Sequence, residues 1–334
     1  MKNAIKHILF FVVLAGVSIS LSAKPVCERG EWITSYLEYH FNKSCENITA
    51  EDLNSIEDFD MDKIVRSHDF RKPILEKYDF VGFNNLKYLS LYEISPAELD
   101  EDTFDPLFNL VSLDMSFLDF EGVDFSKVRF FKKLNKLRWL GLSNVEIKKY
   151  YKGMFDGLDN LVRLNMQGGQ DLEMEVGVFD NLKQLKVLNI FLNPFLYKTE
   201  HRHLFSKLES LERLQITMSN DAIYFPGNLF RDLSNLKVLY INGGENLRSY
   251  SRYMFAGLKN LRHIETVHSD FIMNLPTDIF DPIDDLGVHY SYVRDINSFH
   301  PKREIYAVEK RFPKVKVCKS FVFGGCFEGS PYHP

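Results

Sequence analysis

Asp58, Asp60 and Asp62 alternate with Phe59 and Met61, and this period of two places three carboxylates on one face of an extended segment. Three like charges so placed repel, and either a bound cation or a basic partner would relieve them. The run lacks the glycine and distal glutamate of a helix-loop-helix calcium loop. A solvated edge strand blunted by charge accounts for it as simply. His263, Glu265 and His268 bring two imidazoles and a carboxylate within six residues, either a weak transition-metal arrangement or ordinary polar side chains facing solvent. His201-Arg202-His203 is a pair of histidines two apart and reads as solvated loop. The chain contains no Gly-x-Ser-x-Gly, His-Glu-x-x-His or phosphate-loop pattern. No enzymatic activity, cofactor or resident metal is therefore expected.

A second set of candidates is aromatic and guanidinium: Tyr88, Tyr92, Trp139, Arg163, Phe191, Arg213 and Tyr240, with Asp114 among them. They form a set only through the unit that positions them. In the stretch from Phe230 to Gly244, Leu236 is followed by apolar residues at +3 (Leu239) and +5 (Ile241) and preceded by Leu233 at −3 and Phe230 at −6. The same frame fits Leu86, Leu110, Leu137, Leu161, Leu185, Leu211, Leu236, Leu261 and Leu286, at steps of 24, 27, 24, 24, 26, 25, 25 and 25 residues. Position −6 is phenylalanine in every unit: Phe80, Phe104, Phe131, Phe155, Phe179, Phe205, Phe230, Phe255 and Phe280. A fixed period in this range predicts a solenoid. Weaker units flank the array, with Leu53, Ile56, Phe59 and Met61 at one end and Phe312, Val315 and Val317 at the other.

These residues resemble the leucine-rich repeat family, in its extracellular type of about 24 residues with a phenylalanine in the convex segment. The resemblance runs from about Leu53 to Val317 and names no subfamily. It implies an α/β-type repeat solenoid, a horseshoe with a parallel concave sheet and short convex segments, used for binding or adhesion without catalysis. One departure concerns the family's asparagine at +8. Only Asn193 keeps it, so the turn amides there need other partners.

In each unit, +2 to +6 should be a short strand with 0, +3 and +5 facing the core and +2, +4 and +6 facing the concave surface. The −6 phenylalanines should stack from repeat to repeat on the convex side. Ten or eleven strands at ~4.8 Å make a sheet ~50 Å long, which suits a macromolecular ligand, a protein or a glycan. Trp139 is the expected anchor, since exposed aromatics supply contact area at little entropic cost. At Leu286 the strict frame turns His289 and Ser291 inward, whereas a one-residue slip buries Val288, Tyr290 and Tyr292. Hydrophobicity favours the slip.

The ends are read separately. Residues 1–23 combine Lys2 and Lys6, an apolar run and a small residue at Ala23, the pattern of a secretory signal peptide. The apolar run is shorter than the ~20 residues of a membrane span, and no later stretch could be one. Export to an extracellular setting, or to the periplasm or surface of a bacterium, follows. Residues 24–52 form an N-terminal cap, 53–317 the repeats, and 318–334 a C-terminal cap. Cys27 with Cys45 and Cys318 with Cys326 then read as two local disulfides, because other pairings would join opposite ends of a solenoid. Trp32, Ile33, Tyr36, Leu37, His40 and Phe41 recur at helical spacing between the first pair. Sequons at Asn42 and Asn47 matter only in a eukaryotic secretory pathway.

A composition of 45% hydrophobic, 26% charged and 14% aromatic residues excludes a disordered chain. Without the leader, 39 basic stand against 46 acidic side chains, a net charge of −7 that disfavours nucleic acid. Acidic residues around Glu46–Asp62 and basic ones around Lys302–Lys319 would favour head-to-tail self-association.

Overall fold

A computed structural model describes residues 25–60, 74–91, 95–96, 99, 101–118, 120, 123–127, 129–168, 173–192, 203–219, 221–225, 227–243, 246, 249–266, 275–281, 283, 287–290, 310–313 and 316–318. The leader-like residues 1–23, together with Asp62, Tyr92, His201, His268 and Cys326, lie outside them.

Each repeat begins with two successive tight turns. The amide of the −3 leucine donates to the carbonyl of the −6 phenylalanine, and the amide of the anchor donates to the carbonyl at −3. This holds for Leu182 to Phe179 and Leu185 to Leu182 (3.0 and 3.1 Å), and in the same form for Leu158, Leu161, Leu233 and Leu236. Turns closed every three residues bring −6, −3 and 0 to the same side. All three are therefore buried in the repeats from Phe80 to Leu261.

The chain then enters a strand. Eleven such strands form one parallel sheet in chain order. Numbered along it, they are β1 Asp58–Asp60, β2 Tyr88–Ser90, β3 Ser112–Asp114, β4 Trp139–Gly141, β5 Arg163–Met166, β6 Val187–Leu192, β7 Arg213–Met218, β8 Val238–Asn242, β9 His263–Thr266, β10 Gly287–Tyr290 and β11 Lys316–Cys318. Pairing aligns the +3 residues from β1 to β9, as in Leu188 with Leu164 and Leu214. Alternation leaves 0, +3 and +5 buried, and +2 and +4 on the concave face. Two-residue parallel bridges, such as Lys149–Tyr150 with Glu173–Met174, tie neighbouring repeats on the return path.

Two registers differ from the simple frame. Val288 lies opposite Ile264, so β10 takes the one-residue slip that hydrophobicity favours. Val317 lies opposite Val288 rather than two residues further on, a slip of two that keeps it on the same face of the strand. In that last unit Phe312 is not the anchor expected of it. Its ring meets Phe280 at 5.1 Å and continues the convex stack.

The phenylalanine stack is real but interrupted. Phe131, Phe155, Phe179 and Phe205 stack in series with centroids 6.0 to 6.3 Å apart, and Phe230, Phe255 and Phe280 form a second run. Between Phe104 and Phe131 the 27-residue repeat inserts Phe130, which touches both edge-on. Among the described residues no ring contact joins Phe205 to Phe230. Phe225 packs against Phe230 instead.

The N-terminal cap follows its pattern. Helix α1, Glu31–Phe41, buries Trp32, Ile33 and Leu37 and ends at Asn42 in a left-handed conformation. Helix α2, Ala50–Ser55, starts at a Thr49–Asp52 capping box. Trp32 and Tyr36 meet the ring of Phe59 edge-on and so close the open end of β1. A disulfide joins Cys27 to Cys45, with Cα atoms 5.1 Å apart. Replacing both by alanine should lower unfolding stability by about 2 to 4 kcal/mol in denaturant melts, with fraying confined to the cap. A loss below ~1 kcal/mol would mean that α1 holds its place without the bridge. Cys326 of the second expected disulfide lies outside the described residues, as does most of the basic C-terminal segment.

Candidate functional site

Trp139 begins β4 at position +2, and its indole folds back along its own strand. A Cβ placed on Gly141 would lie 2.6 Å from the ring edge of Trp139 and 2.5 Å from Asp114 Oδ1. The absence of a side chain at Gly141 is what lets the indole lie down over the strand. Asp114, on the neighbouring β3, is held at the ring's edge, where its Oδ1 accepts the Ser116 amide at 2.9 Å. Glycine here is a steric requirement, a role that sequence reading did not give it.

From Trp139 the concave surface sinks into a depression of about 140 Å³ that runs across β5, β6 and β7 to Tyr240 on β8. Tyr240 is only 8% exposed although it sits at an outward position. Arg163 and Arg213 reach into the depression from position +2, on either side of Val187. At position +4, Asn165, Asn189 and Gln215 form a file of amides on adjacent strands. These three belonged to the outward positions but carried no signal that singled them out.

Electrostatically the centre is cationic. Among the described residues no carboxylate lines the depression, and neither the Arg163 nor the Arg213 guanidinium makes an ion pair or hydrogen bond. Lysines elsewhere are matched, as in Lys87 with Glu57 and Lys186 and Lys237 with Glu212. Asn165 Oδ1 is buried in the depression's floor with no protein donor.

The remaining candidates are more scattered. Tyr88, 52% exposed, stands on β2, two strands from Trp139. Phe191 is half-buried towards the far end of β6 and does not line the depression. Asp58 and Asp60 flank Phe59 on the outward face of β1, with Asp58 close enough to Tyr36 to help raise its phenol to about 12, an effect owed first to burial. His263 and Glu265 both sit half-buried on β9, Glu265 opposite Tyr240. His203 lies 3.8 Å from Asp232, a neighbour that only the fold supplies, and both are exposed. Among the described residues no group of three His, Cys, Asp or Glu side chains could hold a metal ion.

The turn amides near +8 find partners without an asparagine there. The parallel ladder continues past the strands, with Phe117 donating to Ser143 O (2.8 Å) and Asn144 to Gln167 O (2.7 Å). An asparagine ladder does exist, at −1. Asn85, Asn109, Asn160, Asn235 and Asn260 each donate from Nδ2 to the carbonyl at −2 of the preceding repeat, at 2.7 to 3.0 Å. Its signal was the recurrence of asparagine just before the anchor. Eleven parallel strands in register, stacked convex phenylalanines and a periodic asparagine ladder leave one architecture.

The fold is that of a leucine-rich repeat solenoid.

No protein-family model and no curated protein matches the chain. Among solved structures, this leucine-rich repeat chain is similar to a chain of the TLR13–ssRNA13 complex at 18% identity and TM-score 0.46, over 73% of this chain and 38% of that one. A chain of the mouse RP105/MD-1 complex gives 18% identity and TM-score 0.43, over 73% of this chain and 35% of that one. The leucine-rich repeat chain thus spans little more than a third of the length of either. No helix among its described residues is long and apolar enough to cross a membrane.

Proposed function

We propose that this leucine-rich repeat protein is an exported, non-enzymatic binding module that engages a macromolecular ligand across the centre of its concave sheet. The observation that carries the reading is the depression itself, with Trp139 laid over Gly141 at one side, Tyr240 at the other and two guanidinium groups between. Aromatics and arginine are the side chains most enriched among residues that dominate binding energy. A sheet several strands wide suits an extended ligand better than a metabolite. The leader-like N-terminus and the Cys27–Cys45 disulfide support export, since stable disulfides belong to oxidising compartments.

The test is capture of ligand from the protein's native surroundings on immobilised wild type and variants, followed by affinity measurement on what is captured. Trp139→Ala should weaken binding by about 2 kcal/mol or more without lowering the melting temperature, because the indole lies on the surface. Charge reversals at Lys133 and Lys152, which are exposed outside the concave face, should change little. Unchanged affinity in Trp139→Ala, together with loss on those reversals, would move the site off the concave sheet.

A further inference from the structure

We infer that the depression between Trp139 and Tyr240 takes an acidic oligosaccharide, with sugar carboxylates seated on Arg163 and Arg213. The inference rests on the concave-face reading and adds the chemistry of the ligand.

Charge is the first argument. The chain is acidic, at a formal net charge of −5, yet the centre of its concave face holds two guanidinium groups and no carboxylate. Guanidinium groups present paired donors that match a carboxylate in both geometry and charge. Asp114 on the Trp139 side and Glu265 beyond Tyr240 bound this region with negative charge, so an anionic group is favoured only over β5 to β7.

Geometry is the second. Strands β5 to β7 are interior, and their backbone amides and carbonyls are engaged in the ladder, so a peptide cannot add as another strand. Recognition must use side chains. Arg163 and Arg213 hold equivalent positions two strands apart, a separation of about 9.6 Å at the sheet spacing. Same-face side chains of an extended peptide recur at about 6.7 or 13 Å, and neither matches. Alternate sugars of an oligosaccharide place their carboxylates one disaccharide apart, which is on the scale of that two-strand spacing.

The other lining groups fit the same ligand. Asn189 and Gln215 each offer a donor and an acceptor, the pairing that adjacent sugar hydroxyls require. Trp139, lying down over Gly141, offers a flat face on which the C–H side of a sugar ring can rest.

Trp32 is buried in the N-terminal cap, so Trp139 is the tryptophan whose fluorescence reports on the concave face. The titration uses oligosaccharides bearing glucuronate, galacturonate and sialate, the carboxyl-reduced form of each, and oligoglutamate. At least one acidic oligosaccharide should change the fluorescence and bind. Its reduced form, and the Arg163→Gln/Arg213→Gln variant with unchanged melting temperature, should each bind at least about tenfold more weakly. Failure of every acidic oligosaccharide, or equal binding of a reduced form, overturns the inference. Binding of oligoglutamate alone, dependent on Trp139 and both arginines, overturns the sugar but leaves the concave face standing. Acidic oligosaccharide binding that is indifferent to Trp139→Ala and to both arginine changes removes the two together.

Discussion

Phe179→Ala should destabilise the solenoid by about 3 to 5 kcal/mol. Its ring is 1% exposed and lies between Phe155, at 6.0 Å and 9° from parallel, and Phe205, at 6.1 Å. Truncation removes the apolar burial of one large ring and opens a cavity between two others. The neighbouring turns are fixed by backbone bonds from Leu182 and Leu185, so the walls cannot collapse to fill it. The same substitution at Phe205 should cost less, because among the described residues no ring stacks on its Phe230 side. Denaturant melts of the two variants measure the difference. A cost below ~1 kcal/mol at Phe179 would show that the convex stack is not a load on stability.

Asp79→Ala should cost about 3 kcal/mol, for a different reason. Asp79 is 1% exposed and joins the cap to the first repeat: its carboxylate accepts the Glu76 amide at 2.9 Å and the Gly30 amide at 3.4 Å, while Arg29 Nη1 donates to its carbonyl at 3.0 Å. Alanine leaves two amides without their acceptor and a buried guanidinium without its nearest countercharge. Burial, as the largest influence, pushes the Asp79 carboxyl above its ordinary range, against the pull of those amides and of Arg29. For an acid raised in the folded state, the contribution to stability grows as pH falls through the interval between the unfolded and folded values, and is smallest above it. The gap between wild type and Asp79→Ala should therefore persist or widen from pH 7 to pH 4. A gap that closes on acidification would mean that the ionised carboxylate is the favoured form in the cap.

Much of this architecture is written in single residues and their spacing. The −6 phenylalanines, the leucines at −3 and 0, and the apolar +3 and +5 positions specify turns, strands and core together, because a repeat of fixed length must present the same faces at every step. The capping helix α1 and the Cys27–Cys45 bridge were legible for the same local reason: helical spacing and cysteine position need no distant partner to be recognised. The list of outward-facing residues followed from strand alternation alone, and Trp139, Arg163, Arg213 and Tyr240 were named from it.

What the fold alone decided is which of those outward residues meet. Register across the sheet, a property of eleven strands rather than of any one, brings Arg163, Arg213 and the amides of Asn165, Asn189 and Gln215 into one depression and leaves Tyr88 outside it. The seat for Trp139 depends on Gly141 two residues on and Asp114 one strand away, a three-body packing relation that no periodicity encodes. The detour of the phenylalanine stack through Phe130, and the asparagine ladder at −1, likewise depend on distances between successive turns. A repeating sequence determines the faces of a solenoid because each face is set within one unit. Which outward residues meet is decided only in three dimensions, because those contacts lie between units.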